Sequence, residues 1–124
     1  MNLPENLLYT NDHEWLRVEG NYAYLGITDF AQSQLGDIVF LEIETLGETL
    51  NQGDIFGTIE AVKTVSDLFL PIDAEVVEVN EAIVENPETI NQDPYEKGWI
   101  AKIRILNPEQ LNGLLSANDY EKEI

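Results

Sequence analysis

The chain has no cysteine, one histidine and only six lysines and arginines, set against 24 carboxylates. Without cysteine there is no disulfide, no thiolate nucleophile and no thiolate metal site. The formal net charge of −18 gives a surface that repels phosphate. That argues against nucleic-acid binding and against docking on anionic membranes. The same charge keeps a small protein soluble and suits partners with basic docking faces. No apolar run is long enough to cross a bilayer. The opening Met1-Asn2-Leu3-Pro4-Glu5 lacks the basic region and apolar core of a signal peptide and the arginine of a transit peptide, so a cytoplasmic location is expected. A Gly-rich phosphate loop, a metal-ligand cluster and the spacing of a catalytic triad are all missing. A chain that is not itself an enzyme, and that binds no metal, is therefore expected.

A chain of 124 residues with 44% hydrophobic side chains is one domain with its own core. Short β-prone runs dominate. Trp15 and the alternating residues after it read as a strand, Glu19-Gly20-Asn21 as a turn, and Tyr22 to Ile27 as the return, which predicts an N-terminal hairpin over 9–27. Thr28 to Gly36 predicts a short helix near residues 29–35, with Thr28 as its cap and Gly36 as its stop. Ile38 to Ile43 reads as a central strand, and a turn is expected at Gly53. Ala74 to Asn80 alternates acidic and aliphatic residues, so one face is core and the other wet. Glu81 to Asn91 is a longer connection with a helical turn from Pro87. Ile100 to Ile105 is the last strand. Asn107 as cap, Pro108 at the first position and Gln110 in a capping box predict a C-terminal helix over 108–116, with a further turn after Asp119. The pentapeptide Glu48 to Gln52 is echoed at Glu88 to Gln92, a hint of two quasi-symmetric halves that competes with chance.

The chain is organised around Gly57 to Pro71. Two β-prone runs, Asp54 to Glu60 and Val65 to Leu70, flank a break that carries Lys63, which predicts a hairpin over 54–70 with Lys63 near its tip. A turn lysine is ordinarily just a solvated residue. Here lysine is scarce, and the nearest cations are Arg17 before it and Lys97 after it.

The string Gly57, Glu60, Ala61, Val62, Lys63, Thr64, Ser66, Asp67 and Pro71 resembles the lipoyl-lysine hairpin of the glycine cleavage system H proteins. Three further blocks agree with that family: Tyr9 with His13-Glu14-Trp15; Gly26-Ile27-Thr28-Asp29 with Ala31, Leu35 and Gly36 to Val39; and Asn91, Pro94, Tyr95, Gly98 and Trp99, read as packing and turn residues. The resemblance as a whole covers almost the entire chain, from Tyr9 to Tyr120. One departure stands at Ala74, where the family usually has glycine. If that turn needs positive φ, alanine would be strained by about 1 kcal/mol, unless Asp73 takes the left-handed position instead.

The resemblance implies a mainly β fold, a flattened barrel-sandwich hybrid of two antiparallel sheets, with the short helix near residues 29–35 and the C-terminal helix. It implies lipoate as a covalent cofactor on Lys63, with Glu60 recognised by the lipoate- or octanoate-attaching enzymes. Valine and threonine flank the lysine where a biotin carrier would have methionines. The implied cycle takes an aminomethyl group from the pyridoxal-phosphate enzyme glycine decarboxylase to a tetrahydrofolate-dependent aminomethyltransferase. Dihydrolipoamide dehydrogenase then reoxidises the arm. Glu14 and Asp67 match family positions suited to holding the aminomethyl-loaded arm in a cleft, with Asp12 a weaker candidate. Each of these carboxylates also reads as ordinary surface charge. His13 reads as a hydrogen-bonded structural imidazole more than as a proton shuttle. A monomer is expected. Two other readings stay open: a lipoate donor to 2-oxoacid dehydrogenase subunits, and an unmodified interaction domain with this fold.

Overall fold

The computed structural model describes residues 1–124. Strand β1 (Leu8–Tyr9) runs antiparallel to β2 (Glu14–Glu19), which forms a hairpin with β3 (Tyr22–Ile27). Helix α1 (Asp29–Leu35) follows, capped as its sequence predicts. The Thr28 side chain accepts from the Ala31 amide, and Gly36 ends the helix at φ 79°. Then come β4 (Ile38–Glu42), β5 (Thr49–Leu50), β6 (Ile55–Ala61), β7 (Val65–Phe69) and β8 (Ala74–Val79). Helices α2 (Glu81–Glu85) and α3 (Thr89–Gln92) precede β9 (Ala101–Ile105), and the chain ends in a 3-10 turn (Pro108–Gly113) and α4 (Ala117–Glu121).

The strands form two antiparallel sheets, one ordered β1-β2-β3-β9-β8-β5 and the other β4-β6-β7. The protein is a mainly β barrel-sandwich whose sheets close on one core. Leu16, Leu25, Val76 and Ile103 on the larger sheet meet Leu41, Phe56, Ile59 and Leu68 on the smaller, all buried in a single cluster. Ile83 of α2 and Ile90 of α3 complete that cluster. In β8, Ala74 and Val76 point inward as the sequence predicts, and a register slip between Val76 and Glu78 then interrupts the alternation. A second, smaller cluster of Tyr9, Trp15, Tyr95 and Tyr120 joins β1 and β2 to α4. Tyr9 and Tyr120 stack there with centroids 4.9 Å apart.

Several expectations need correction. Ile38 to Ile43 is not a central strand. It supplies the edge strand β4, whose register slips between Ile38 and Phe40 so that Val39 and Phe40 turn outward. The continuous helix over 108–116 does not form. Asn107 makes no side-chain cap, and Gln110 accepts from the Asp73 amide at 2.7 Å instead of closing a capping box. Leu115 is extended and exchanges two backbone bonds of 2.8 Å with Tyr9, and Ser116 then caps α4. The connection after β8 holds a helix, α2, that its sequence had not suggested, capped by Asn80. The echoed pentapeptides are not structural copies, since Thr49–Leu50 is strand and Thr89–Gln92 is helix. Ala74 carries no strain. It opens β8 with its methyl buried in the core, and His13 is the only non-glycine residue with positive φ.

Candidate functional site

Strands β6 and β7 are joined by Val62, Lys63 and Thr64. The turn is closed by the Ala61 amide donating to the Thr64 carbonyl at 2.8 Å, and the Val62 amide donates to the Asp37 carbonyl at 3.0 Å. The tip therefore rests on the loop between α1 and β4. That loop is held in turn by Asn91 of α3. The Asn91 amide nitrogen donates to the Gly36 carbonyl at 2.8 Å and to Gln32 Oε1 at 3.0 Å, and its oxygen accepts from the Ile38 amide at 3.0 Å. The sequence reading treated Asn91 as a packing residue and missed this support role. Its place in the Asn-x-x-Pro-Tyr block was the only signal.

Lys63 is exposed and makes no ion pair or hydrogen bond. Its stem lies over Gly36, where an added Cβ would come within 3.3 Å of Lys63 Cε. Lower in the hairpin, Gly57 is needed for close approach. A side chain there would run into Ile43 and come within 2.8 Å of the Glu42 carbonyl. These features leave a primary amine free at a braced protrusion, which suits acylation by an external enzyme.

The other candidates fall around the same hairpin. Glu60 stands opposite Phe40 on one side and Val65 on the other, and Asp67 stands opposite Thr58. Both carboxylates lie on the outward side of the smaller sheet, away from the core residues Ile59 and Leu68. Neither is bonded to Lys63. Glu14 is different. It is only 2% exposed, and one carboxyl oxygen accepts from the Phe69 amide at 2.9 Å, which ties the root of the N-terminal hairpin to the end of β7. Its other oxygen, Oε1, is buried without a partner. Burial pushes the Glu14 carboxyl up to about 8; the Phe69 amide and the neighbouring Thr10 hydroxyl oppose the shift and the Asp12 charge adds to it. Asp12 itself is exposed, and its amide donates to Thr10 Oγ1.

His13 is a structural residue, as its sequence context favoured. Its Nδ1 lies 2.8 Å from the Tyr120 hydroxyl, and its carbonyl accepts from the Thr28 amide at 3.0 Å. The Tyr120 hydroxyl also lies 2.8 Å from Thr28 Oγ1, so the C-terminal helix braces both the cap of α1 and the corner that precedes Glu14. No three His, Asp or Glu side chains converge as a metal site would require. No helix is long and apolar enough to cross a membrane.

Comparison with known proteins agrees with this arrangement. The sequence profile described as "Glycine cleavage H-protein" matches residues 7–124. The glycine cleavage system H protein of Bacteroides fragilis is 60% identical over 121 residues, covering 98% of this chain and 96% of that protein. Its counterpart in Carboxydothermus hydrogenoformans is 51% identical over 120 residues, covering 97% and 92%. The crystal structure of a glycine cleavage system H protein from Mycobacterium marinum superposes with a TM-score of 0.85 at 37% identity, covering 97% of each chain. A profile match over nearly the whole length, on the same barrel-sandwich, means that the chain belongs to the glycine cleavage H-protein family.

Proposed function

We propose that this protein is a monomeric, cytoplasmic lipoyl carrier of the glycine cleavage system, with Lys63 as the attachment residue. The observation that supports this most directly is Lys63 itself, exposed and unpaired at the braced tip of β6 and β7. The lysine amine is cationic at neutral pH, with a reference pKa of about 10.4. The attaching enzyme must therefore deprotonate Nζ before it can attack an activated acyl group. Amide formation then removes one of the chain's few positive charges and leaves the stem lying over Gly36. When bound, lipoate supplies a dithiolane that carries a one-carbon amine and a pair of electrons between enzymes.

The chain's own residues would do three things. Asn91 and Asp37 hold the tip, so the arm departs from a fixed point. Glu60, three residues before Lys63, is read by the attaching enzymes. Asp67 within β7, and Glu14 bonded to the Phe69 amide at the end of β7, are the carboxylates that would receive its cationic amine. The partners in this reading are glycine decarboxylase, an aminomethyltransferase and dihydrolipoamide dehydrogenase. A tether of this length gives each of them an effective arm concentration of about millimolar.

Intact mass spectrometry of protein made in lipoate-competent cells tests the reading. The expected result is the bare mass plus one lipoyl group, with Lys63→Arg showing the bare mass only. A wild-type chain at its unmodified mass would overturn it.

A further inference from the structure

The outer faces of the two sheets differ in chemistry. On the larger sheet, strand register aligns Arg17, Tyr24, Lys102 and Glu78 in one row and Glu19, Tyr22, Arg104 and Glu75 in the next. Those rows satisfy themselves. Arg17 lies over Tyr24 at 4.9 Å, Lys102 lies over Tyr22 at 5.0 Å, and Arg104 pairs with Glu75 at 2.8 Å. On the smaller sheet the rows are Phe40, Glu60, Val65 and Glu42, Thr58, Asp67. Carboxylates recur there with no cation among them. Phe40 is 48% exposed and Val65 63% exposed. Val39 beside Phe40 and Val62 beside Lys63 are also exposed. Half the chain's cations lie on the face that needs no partner, and the outward side of the sheet whose hairpin ends in Lys63 is left apolar and acidic.

Exposed apolar side chains interleaved with carboxylates on a bare sheet fit a protein partner better than solvent. We propose that the outward face of β4, β6 and β7, centred on Phe40, Glu60 and Val65, is the docking surface for the enzyme that acylates Lys63. That enzyme meets it with an apolar pocket rimmed by arginine or lysine. The inference rests on the reading of Lys63 as an acylated residue. The attaching enzyme is the occupant because it must recognise the chain before any arm exists. A single lysine offers it little to read, whereas the neighbouring row of the sheet presents an aromatic ring and a carboxylate that a basic rim would complement. The resemblance to known carriers points to Glu60 alone; the sheet register adds Phe40, Val65 and Glu42 beside it.

Steady-state acylation by lipoate–protein ligase, with ATP and lipoate, tests the surface. Phe40→Ser is expected to raise KM for the carrier about tenfold with kcat within about twofold, as loss of a central apolar anchor does. Glu42→Lys should raise KM less and weaken its dependence on salt, because it removes a steering charge. Tyr22→Ser and Glu78→Lys, on the other sheet, should leave both constants unchanged. Val65→Thr, which keeps a β-branched residue in the strand, replaces Phe40→Ser if thermal melting shows that the latter loosens the sheet. The proposal falls if Phe40→Ser or Val65→Thr in a folded carrier keeps KM within about twofold of wild type, or if the controls raise it equally. If the wild-type chain is not acylated at all, the reading of Lys63 falls instead.

Discussion

The two long hairpins reverse direction by different means. The turn between β2 and β3 uses Gly20 at φ 63°, and a Cβ built there would have no atom within 4 Å. Its strands pair without slippage from Glu14 opposite Ile27 to Glu19 opposite Tyr22. Its reversal is set by its own turn chemistry, and the Ile105 amide of β9 donates to the Asn21 carbonyl at 2.8 Å. The turn between β6 and β7 has no glycine, and its strands slip register between Ile55 and Gly57. What holds its tip comes from elsewhere in the chain: the Asp37 carbonyl beneath Val62, and Asn91 beneath Asp37. A hairpin that only reverses the chain can take its turn from a glycine and its support from the next strand of its own sheet. One that must hold a side chain at a fixed point for other proteins gains from a third element that restricts the tip.

The two hairpins meet at Glu14, and the largest effect is expected there. Its carboxyl is raised from an ordinary 4.5 to about 8 in the fold, chiefly by burial. In between, the folded chain holds a proton that the unfolded chain releases. Stability from this group is therefore full below about pH 4.5 and is lost as pH rises through about 8. At ~1.4 kcal/mol per pKa unit the ceiling is on the order of 5 kcal/mol, and a few kcal/mol is the expected yield. Glu14→Gln keeps an acceptor for the Phe69 amide but cannot ionise. Urea midpoints measured from pH 4.5 to 9 should show the variant equal to wild type at the acidic end and progressively more stable at the alkaline end. Parallel curves would mean that Glu14 ionises freely in the fold and that the seam between the hairpins is wet.

Next in size is the brace under the lysine tip. Asn91→Ala deletes three hydrogen bonds and leaves the Ile38 amide and Gly36 carbonyl without their partner. At about 1 kcal/mol per bond the expected loss of stability is roughly 2–3 kcal/mol. Size alone does not separate a local brace from general packing, but hydrogen exchange does. The Val62 and Ile38 amides should lose protection well beyond the global change, while amides of β2 and β3 follow the global value. Uniform loss across both hairpins would show that Asn91 only packs the core and that the tip needs no brace.

Local chemistry was readable in the sequence, and long-range bonding was not. The hairpin around Lys63 was legible because two β-prone runs flank a short break and because a long motif resembles a known one. Helix α1 was legible because Thr28 and Gly36 mark its ends by their own side chains or lack of one. The C-terminal helix was misread because Gln110, well placed for a capping box, is claimed by Asp73, which is distant in sequence. Leu115 is pulled into a bridge with Tyr9 for the same kind of reason. Strand β4 was misread because an apolar run looks the same whether both faces are covered or whether a bulge turns Val39 and Phe40 outward. At the site, the positions of Lys63 and Glu60 could be anticipated from the hairpin alone. The bond from Glu14 to Phe69 and the role of Asn91 could not, since each joins residues more than 50 positions apart in the chain.

The smallest effects compare the two glycines. Gly20 and Gly36 both have positive φ, so alanine at either costs backbone energy of about 1 kcal/mol or somewhat more. At Gly20 nothing else changes, because the new methyl meets no neighbour. At Gly36 the methyl reaches the Lys63 stem at 3.3 Å, and φ 79° with ψ −156° is a region that almost only glycine occupies. Both variants should therefore lower the melting temperature by a few degrees. Only Gly36→Ala should also slow acylation of Lys63, because it displaces the stem at the point where the arm departs. If Gly20→Ala slows acylation equally, the rate follows overall stability, and the support beneath the lysine tip has no bearing on how the amine is presented.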